Sequence, residues 1–154
     1  MAGIAGLLVD PNYGFVILAA SSSLVLNVVH TMNTGKYRKE AEVAYPACYA
    51  PSSRTDIEAV RFNSAQRAHA NFTEHLTPFI TALLVSGLKF PVASASMGAV
   101  WSVSRFFYMR GYSQALKAEG KGRYAGGLGI GHTLVELILI GTTAYTGLGL
   151  ALGW

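Results

Sequence analysis

Four stretches of this chain carry almost no charge, and with their flanks each is long enough to cross a lipid bilayer. Residues 11–35, 75–88 and 90–104 contain no Asp, Glu, Lys or Arg, and residues 124–154 contain only Glu136. A membrane helix needs about 20 mainly apolar residues. The pattern therefore predicts one domain, residues 1–154, with transmembrane helices at about 13–33, 60–88, 92–116 and 128–152.

Composition indicates a membrane protein built from helices. The chain is 51% hydrophobic and 13% charged, against about 25% charged in an average soluble domain. Helices satisfy their own backbone hydrogen bonds, which lipid cannot do. We therefore expect an all-α, integral membrane four-helix bundle. The uncharged first span is too long for the core of a cleavable signal peptide, so we expect it to remain as an anchor.

The basic residues cluster in two of the three predicted loops. The net charge is +4. Seven of the 12 cations lie in these loops: Lys36, Arg38, Lys39 and Arg54 in the first, and Lys117, Lys121 and Arg123 in the third. Short basic loops are typical of the cytosolic side of a membrane. We expect both loops to face the cytosol, and we expect no nucleic-acid partner. The single cysteine, Cys48, excludes an internal disulfide.

The second predicted span carries three polar side chains at helical spacing. Arg67, Asn71 and Glu74 stand at i, i+4 and i+7, which places them on one face of a helix. Charged groups at membrane depth cost about 2.5–3.5 kcal/mol each by insertion scales, so they usually mark a functional site or a polar contact between helices. A cation, an amide and an anion in line could bind a zwitterionic ligand.

The third span carries a second polar face. Arg105, Tyr108 and Tyr112 stand at i, i+3 and i+7. The short turn after Leu88 makes spans two and three antiparallel neighbours, so both polar faces lie toward the basic loops. The alternative is polar contact between helices, worth about 0.6–2 kcal/mol for each hydrogen bond. An ion pair between Arg105 and Glu74 would be such a structural contact.

Three weaker signals have simpler interpretations. The sequon at residues 71–73 lies inside a predicted membrane helix, where glycosylation cannot reach it. His132 and Glu136 form an i, i+4 pair in span four, but two ligands without a third favour a helix-packing hydrogen bond over a metal site, and we expect no metal. His30 and Asn27 fit interhelical or interfacial contacts.

Several segments of the chain resemble the MAPEG family, the membrane-associated proteins in eicosanoid and glutathione metabolism. They are YGFV at the start of span one, AYPACYA after the basic loop, FNSAQRAHANFTE in span two and SRFFYMRGYSQ in span three. The similarity is greatest to the type-three microsomal glutathione transferases. It implies a homotrimer in the endoplasmic reticulum membrane, with glutathione bound between neighbouring subunits.

The resemblance also implies roles for individual residues. The glutathione-binding positions of the family correspond here to Arg38, Lys39, Arg67, His69, Asn71, Glu74, Tyr108 and Tyr112. The arginine that activates the thiol corresponds best to Arg123, with Lys121 as the second choice. Arg105 and Gln66 would support the binding residues. His69, His75 and Arg110 depart from the leukotriene-forming branch and weaken any assignment of leukotriene synthesis.

The implied function is glutathione transfer and glutathione-dependent peroxidase activity, with glutathione as co-substrate. The second substrate would be a hydrophobic electrophile or a lipid hydroperoxide that arrives through the membrane lipid. One alternative is a non-enzymatic, lipid-binding scaffold of the same family, which would not need the Arg67, Asn71 and Glu74 set. Another is a small channel lined by Glu74 and Arg105, which would need polar faces across the whole membrane.

Overall fold

The computed structural model describes residues 10–114 and 118–153 and contains four α-helices and one 3₁₀ segment in that part of the chain. The helices are α1 (Tyr13–Glu40), α2 (Ile57–Gly87), α3 (Pro91–Tyr112) and α4 (Gly131–Leu152), and the 3₁₀ segment is Ala118–Ile130. The described residues contain no β-strand. The all-α, four-helix prediction is confirmed. Lys117 and the predicted end of span three lie outside the described residues.

Helix α1 is longer than the predicted first span. It continues through the basic stretch to Glu40, so Lys36, Arg38 and Lys39 lie on the end of a helix and not in a loop. Cations in the last turn of a helix interact favourably with its carbonyl end, which explains the extension. After the helix, the backbone N–H of Ala41 donates to the carbonyl of Tyr37 at 2.9 Å.

Most of the third predicted loop, which precedes the fourth span, is instead the 3₁₀ segment. Such segments rarely exceed one or two turns, and this one is interrupted by glycines whose φ values lie outside the 3₁₀ range. Gly126 and Gly127 have φ values of +68° and +71°, which non-glycine residues seldom adopt. The segment packs closely on the end of α3 and then leads directly into α4.

Within residues 10–114 and 118–153, two helical stretches are long and apolar enough to cross a membrane. Tyr13–Glu40 and Gly126–Leu152 contain windows with mean hydropathy of 1.7 and 1.5. Most of each window faces outward, and exposed apolar side chains such as Leu18, Met32 and Leu150 cover that surface. Helices α2 and α3 carry more polar groups and pack beside them. An outer surface of this kind is suited to lipid.

Helices α2 and α3 are antiparallel, as the short turn between them predicts. Near that turn, the hydroxyls of Ser86 and Ser94 are 2.8 Å apart, while at the other end Arg105 of α3 reaches Asn71 of α2. Between these two ends the helices share an apolar cluster. The ring of Phe79 stacks on Trp101, with centroids 3.8 Å apart and an interplanar angle of 5°.

Candidate functional site

Arg67 and Glu74 form an ion pair along the outer face of α2. The Nη1 atom of Arg67 lies 2.8 Å from Oε1 of Glu74, and the side chains are 48% and 53% exposed. Their i, i+7 spacing places them two helical turns apart, so the long arginine side chain runs along the helix to reach the carboxylate. The ion pair shows that these two charges share one face of α2, as their spacing predicts. Both charges are accessible from outside the chain.

Asn71 lies between these two charges and turns toward the interior. Its Oδ1 atom accepts a hydrogen bond from Nη1 of Arg105 at 2.9 Å. The alternative of an Arg105–Glu74 ion pair is not what the structure shows, because the carboxylate of Glu74 pairs with Arg67 while Arg105 donates to the amide of Asn71. The amide of Asn71 is thus fixed by the neighbouring helix.

Arg105 is completely buried and surrounded by aromatic rings. Its Cζ atom lies 4.8 Å from the ring centre of Tyr108, 5.5 Å from that of Phe72 and 5.6 Å from that of Trp101. Rings at these distances attract a guanidinium through their electron-rich faces. Within the described chain, Nε and Nη2 of Arg105 have no hydrogen-bond acceptor, so the rings carry much of the stabilisation of this cation.

A histidine of α4 completes the surroundings of Arg105. The Nη1 atom of the arginine lies 3.0 Å from Nε2 of His132, and Nδ1 of the same ring lies 3.0 Å from the carbonyl of Gly129. A guanidinium can only donate, so Nε2 of His132 accepts the hydrogen bond from Arg105. Nδ1 therefore carries the ring proton and donates a hydrogen bond to the carbonyl of Gly129. Arg105 therefore joins α2, α3 and α4 at one point.

A second polar cluster lies one helical turn further along α4. Oε2 of Glu136 is 2.8 Å from Nδ1 of His75, and Oε1 accepts from Nε1 of Trp101 at 2.9 Å. The His132–Glu136 spacing predicts a packing role, and both residues form interhelical hydrogen bonds. The sequence did not predict that Glu136, His75 and Trp101 form one cluster. The sequence feature that could have indicated the cluster is Trp101, which stands one turn before Arg105 on the same face of α3 and carries an N–H donor.

The two tyrosines of α3 and Arg123 lie together at the end of that helix. The rings of Tyr108 and Tyr112 have centroids 5.6 Å apart, and Cζ of Arg123 is 4.9 Å from the ring centre of Tyr112. The guanidinium of Arg123 also donates to the carbonyl of Gly120 at 3.1 Å. The structure thus brings Arg123 to the predicted tyrosine pair, whereas Lys121 is exposed.

Close packing of two glycines holds Arg123 in that position. Gly111 on α3 and Gly122 in the 3₁₀ segment contact each other through their backbones, and a Cβ atom on either one would overlap the carbonyl of the other. Only glycine allows such an approach. Backbone contact, and not side-chain packing, therefore sets the distance between the segment and α3.

The predicted glutathione-binding residues at the end of α1, Arg38 and Lys39, do not contact the polar face of α2 in the described part of the chain. The guanidinium of Arg38 stacks on Tyr45 at 4.3 Å and on Phe62 at 4.6 Å, and it donates to the carbonyl of Ala47 at 2.7 Å. Lys39 is exposed beside it. Among the described residues, neither one hydrogen-bonds or pairs with the Arg67–Glu74 face. A single chain does not bring these two groups together.

The remaining predicted residues, His69 and Gln66, are half-buried on α2. The ring centre of His69 lies 5.9 Å from that of His30, a buried histidine of α1 that stacks on Phe72 at 4.4 Å. His69 therefore packs toward α1. The structure shows no hydrogen bond from either predicted residue to Arg67, Asn71 or Glu74 within the described chain.

Outside the membrane helices, Arg54 and Asp56 anchor the start of α2. The carboxylate of Asp56 accepts hydrogen bonds from Nε and Nη2 of Arg54 at 2.9 and 2.7 Å. It also caps the helix by accepting a hydrogen bond from the backbone N–H of Ala59 at 3.1 Å. The hydrogen bonds from Arg54 lower the pKa of the Asp56 carboxyl to about 2. Arg54 also donates to the carbonyl of Ala41 at 2.6 Å, which ties the end of α1 to the start of α2.

Helices α1 and α4 with apolar outer surfaces, beside a half-exposed ion pair on α2 and a buried guanidinium on α3, define a membrane-associated helical protein with a polar site. The family comparison agrees with this class. The model of the MAPEG family matches residues 16–142, which is most of the chain, and the protein belongs to this family. The family includes glutathione transferases and related membrane proteins.

Proposed function

We propose that this protein is a membrane-bound glutathione S-transferase of the type-three microsomal kind, with glutathione-dependent peroxidase activity. The observation that carries the proposal is the half-exposed Arg67–Glu74 ion pair on the face of α2, beside an asparagine whose amide is already oriented by Arg105. Opposite charges on either side of a fixed amide suit a small zwitterion. Glutathione is such a molecule, with two carboxylates and one ammonium group.

The existing ion pair is easily exchanged for a ligand. An exposed pair of this kind contributes about 0–1 kcal/mol, so its separation costs little. Arg67 would then bind a glutathione carboxylate through its guanidinium fork, and Glu74 would accept the ammonium group. The amide of Asn71 would contact the peptide backbone between them.

The thiol would be activated by Arg123. A thiol with an ordinary pKa of about 8.5 is mostly protonated at neutral pH, and only its thiolate is a strong nucleophile. A guanidinium near the sulfur favours the thiolate, and Arg123 is the cation that lies against Tyr112. The thiolate would displace a leaving group from a hydrophobic electrophile. With a lipid hydroperoxide, two glutathione molecules would give the disulfide, the lipid alcohol and water.

The complete site would need a neighbouring subunit. Arg38 and Lys39 are separate from the Arg67–Glu74 face in one chain, and a homotrimer in the endoplasmic reticulum membrane would let one subunit supply the α1 cations to the next. The half exposure of Arg67 and Glu74 supports this arrangement, because it leaves room for a ligand and a neighbour on that face.

Calorimetric titration of the detergent-solubilised protein with glutathione tests the proposal. We expect Arg67→Gln and Glu74→Gln each to weaken binding about tenfold or more, since hydrogen bonds to charged groups are worth about 1.5–3 kcal/mol. Arg61→Gln and Glu58→Gln, at the start of the same helix, are matched controls and should bind normally. Normal glutathione affinity in both site variants would refute the proposed binding mode.

A further inference from the structure

A groove runs between α1 and α3 on the outer surface, near the C-terminal ends of both helices. Its volume is about 570 Å³. Toward the middle of the helices it is lined by apolar side chains, among them Val29, Met32 and Phe106. At its other end it is lined by Lys36, Arg110 and Gln114. The groove is therefore apolar at one end and cationic at the other.

The groove is closed on its inner side. The Nδ2 atom of Asn33 on α1 donates to Oγ of Ser113 at 3.1 Å, and that hydroxyl donates to the carbonyl of Met109 at 2.9 Å. These bonds join the two helices behind the groove and satisfy the local polar groups. A ligand would therefore enter from the outer surface, which faces lipid in a membrane protein.

The two cations at the mouth are available to an anion. Lys36 is 64% exposed, and its contact with Glu40 is a long one of 3.9 Å between exposed side chains, which contributes little. Arg110 is exposed and lies over the ring of Phe106 at 6.0 Å. In the described part of the chain no carboxylate lies within 4.0 Å of it.

We propose that this groove binds one anionic phospholipid. The phosphate would lie between Lys36 and Arg110, with the amide of Gln114 as a further donor. An acyl chain would lie along the apolar part of the groove, away from the basic end. The order of charge and hydrocarbon along the groove matches the order of headgroup and tail in a membrane leaflet, and a free phosphate ion would leave the apolar part unused.

A second groove between the same helices shows what the cations add. It lies near their N-terminal ends, has a volume of about 500 Å³, and is lined by residues such as Phe15, Leu18 and Val92. Its lining contains no charged residue. Lipid chains can fill it, but nothing in it selects a headgroup. Preference for an anionic lipid is thus a property of the basic-end groove.

The test compares lipid retention by the purified full-length protein. Protein is equilibrated in detergent with equal amounts of phosphatidylglycerol and phosphatidylcholine, and the bound lipids are counted by native mass spectrometry. The native protein should retain phosphatidylglycerol preferentially. Each cation near a membrane surface contributes about fivefold to binding of an anionic lipid, so Lys36→Gln with Arg110→Gln should weaken retention about 25-fold.

Two further variants make the result specific. Arg61→Gln with Lys89→Gln removes the same charge elsewhere and should retain phosphatidylglycerol normally. Val29→Trp fills the apolar part without changing charge, and it should release the lipid while leaving the cations in place. Equal retention of both lipids, an unchanged cation variant, or a Val29→Trp protein that still selects the anionic lipid would overturn the proposal. Disulfide cross-linking of Met32→Cys to a second copy of the chain would also overturn it.

Discussion

Arg105 donates to His132 at 3.0 Å, and this contact joins α3 to α4 inside the bundle. The same Nη1 atom donates to Asn71 at 2.9 Å, so α3 presents one guanidinium nitrogen to both α2 and α4. The other ring nitrogen of His132, Nδ1, donates a hydrogen bond to the carbonyl of Gly129. This bond extends the connection to the 3₁₀ segment. The position of Asn71 therefore depends on a contact that lies entirely inside the bundle.

Arg105→Gln should destabilise the protein. Glutamine is shorter and cannot donate to both Asn71 and His132, and each buried acceptor left without a donor costs about 1–3 kcal/mol. We expect the free energy of unfolding to fall by about 1–3 kcal/mol for each acceptor that loses its donor. Thermal unfolding in detergent, with Arg110→Gln on the exposed side of the same helix as control, measures it. Equal stability of the two variants would show that the buried arginine does not hold the helices together.

Glu136 and Trp101 should behave as an energetically coupled pair. Glu136→Ala leaves the indole N–H of the buried Trp101 without an acceptor, at a cost of about 1–3 kcal/mol. Adding Trp101→Phe removes that donor, so the double variant should lose less stability than the sum of the two single variants. A double-mutant cycle measured by chemical unfolding gives the coupling. Strict additivity would contradict the 2.9 Å hydrogen bond between them.

Gly111→Ala should separate the 3₁₀ segment from α3. The added methyl group would overlap the carbonyl of Gly122, so the segment has to move and Arg123 moves with it. We expect lower stability and lower turnover with glutathione. Gly35→Ala is the control, because a Cβ atom there meets no other group within 4 Å. Loss of activity in both variants to the same extent would mean that the contact between Gly111 and Gly122 is unimportant.

Asp56 should make the free energy of unfolding depend on pH in the acid range. Hydrogen bonds from Arg54 depress its pKa in the folded protein from 3.8 to about 2. Its stabilising contribution is therefore complete above pH 3.8 and is lost as pH falls toward 2. Asp56→Asn keeps a side-chain oxygen for the helix cap but cannot titrate. Unfolding curves of the two proteins should converge as pH falls through this window, and a constant difference between them would exclude the proposed titration.

The sequence predicted the four helices and the shared face of α2 because both depend on local patterns. Runs of apolar residues set the helices, and the spacing of Arg67, Asn71 and Glu74 set the face. The partners of Arg105 were not predictable in this way. Spacing along one helix says nothing about which residue of another helix comes close. The sequence therefore suggested Glu74 as a possible partner of Arg105 and gave no sign of Asn71 or His132.

The 3₁₀ segment could not be predicted for a related reason. Glycine and lysine in residues 118–130 indicate a turn when they are considered alone. The segment is ordered by the contact of Gly122 with Gly111, which links residues far apart in the chain. The same contact brings Arg123 to Tyr112. The resemblance to a family indicated Arg123, and the structure adds a geometric reason to prefer it over Lys121.

Arg123→Ala should reduce turnover much more than it weakens glutathione binding. The guanidinium lies 4.9 Å from the ring centre of Tyr112, where the proposed function places the thiolate, while the proposed contacts with the rest of glutathione come from α2. A loss of one pKa unit in activation of the thiol corresponds to about 1.4 kcal/mol, so the thiolate fraction at neutral pH should fall about tenfold. Titration of the bound thiol by its ultraviolet absorbance measures this directly, and Arg123→Lys should restore part of it because the cation is retained. Lys121→Ala is the matched control and should leave the thiol pKa unchanged. The opposite result, with the shift in Lys121→Ala alone, would assign the activating role to Lys121.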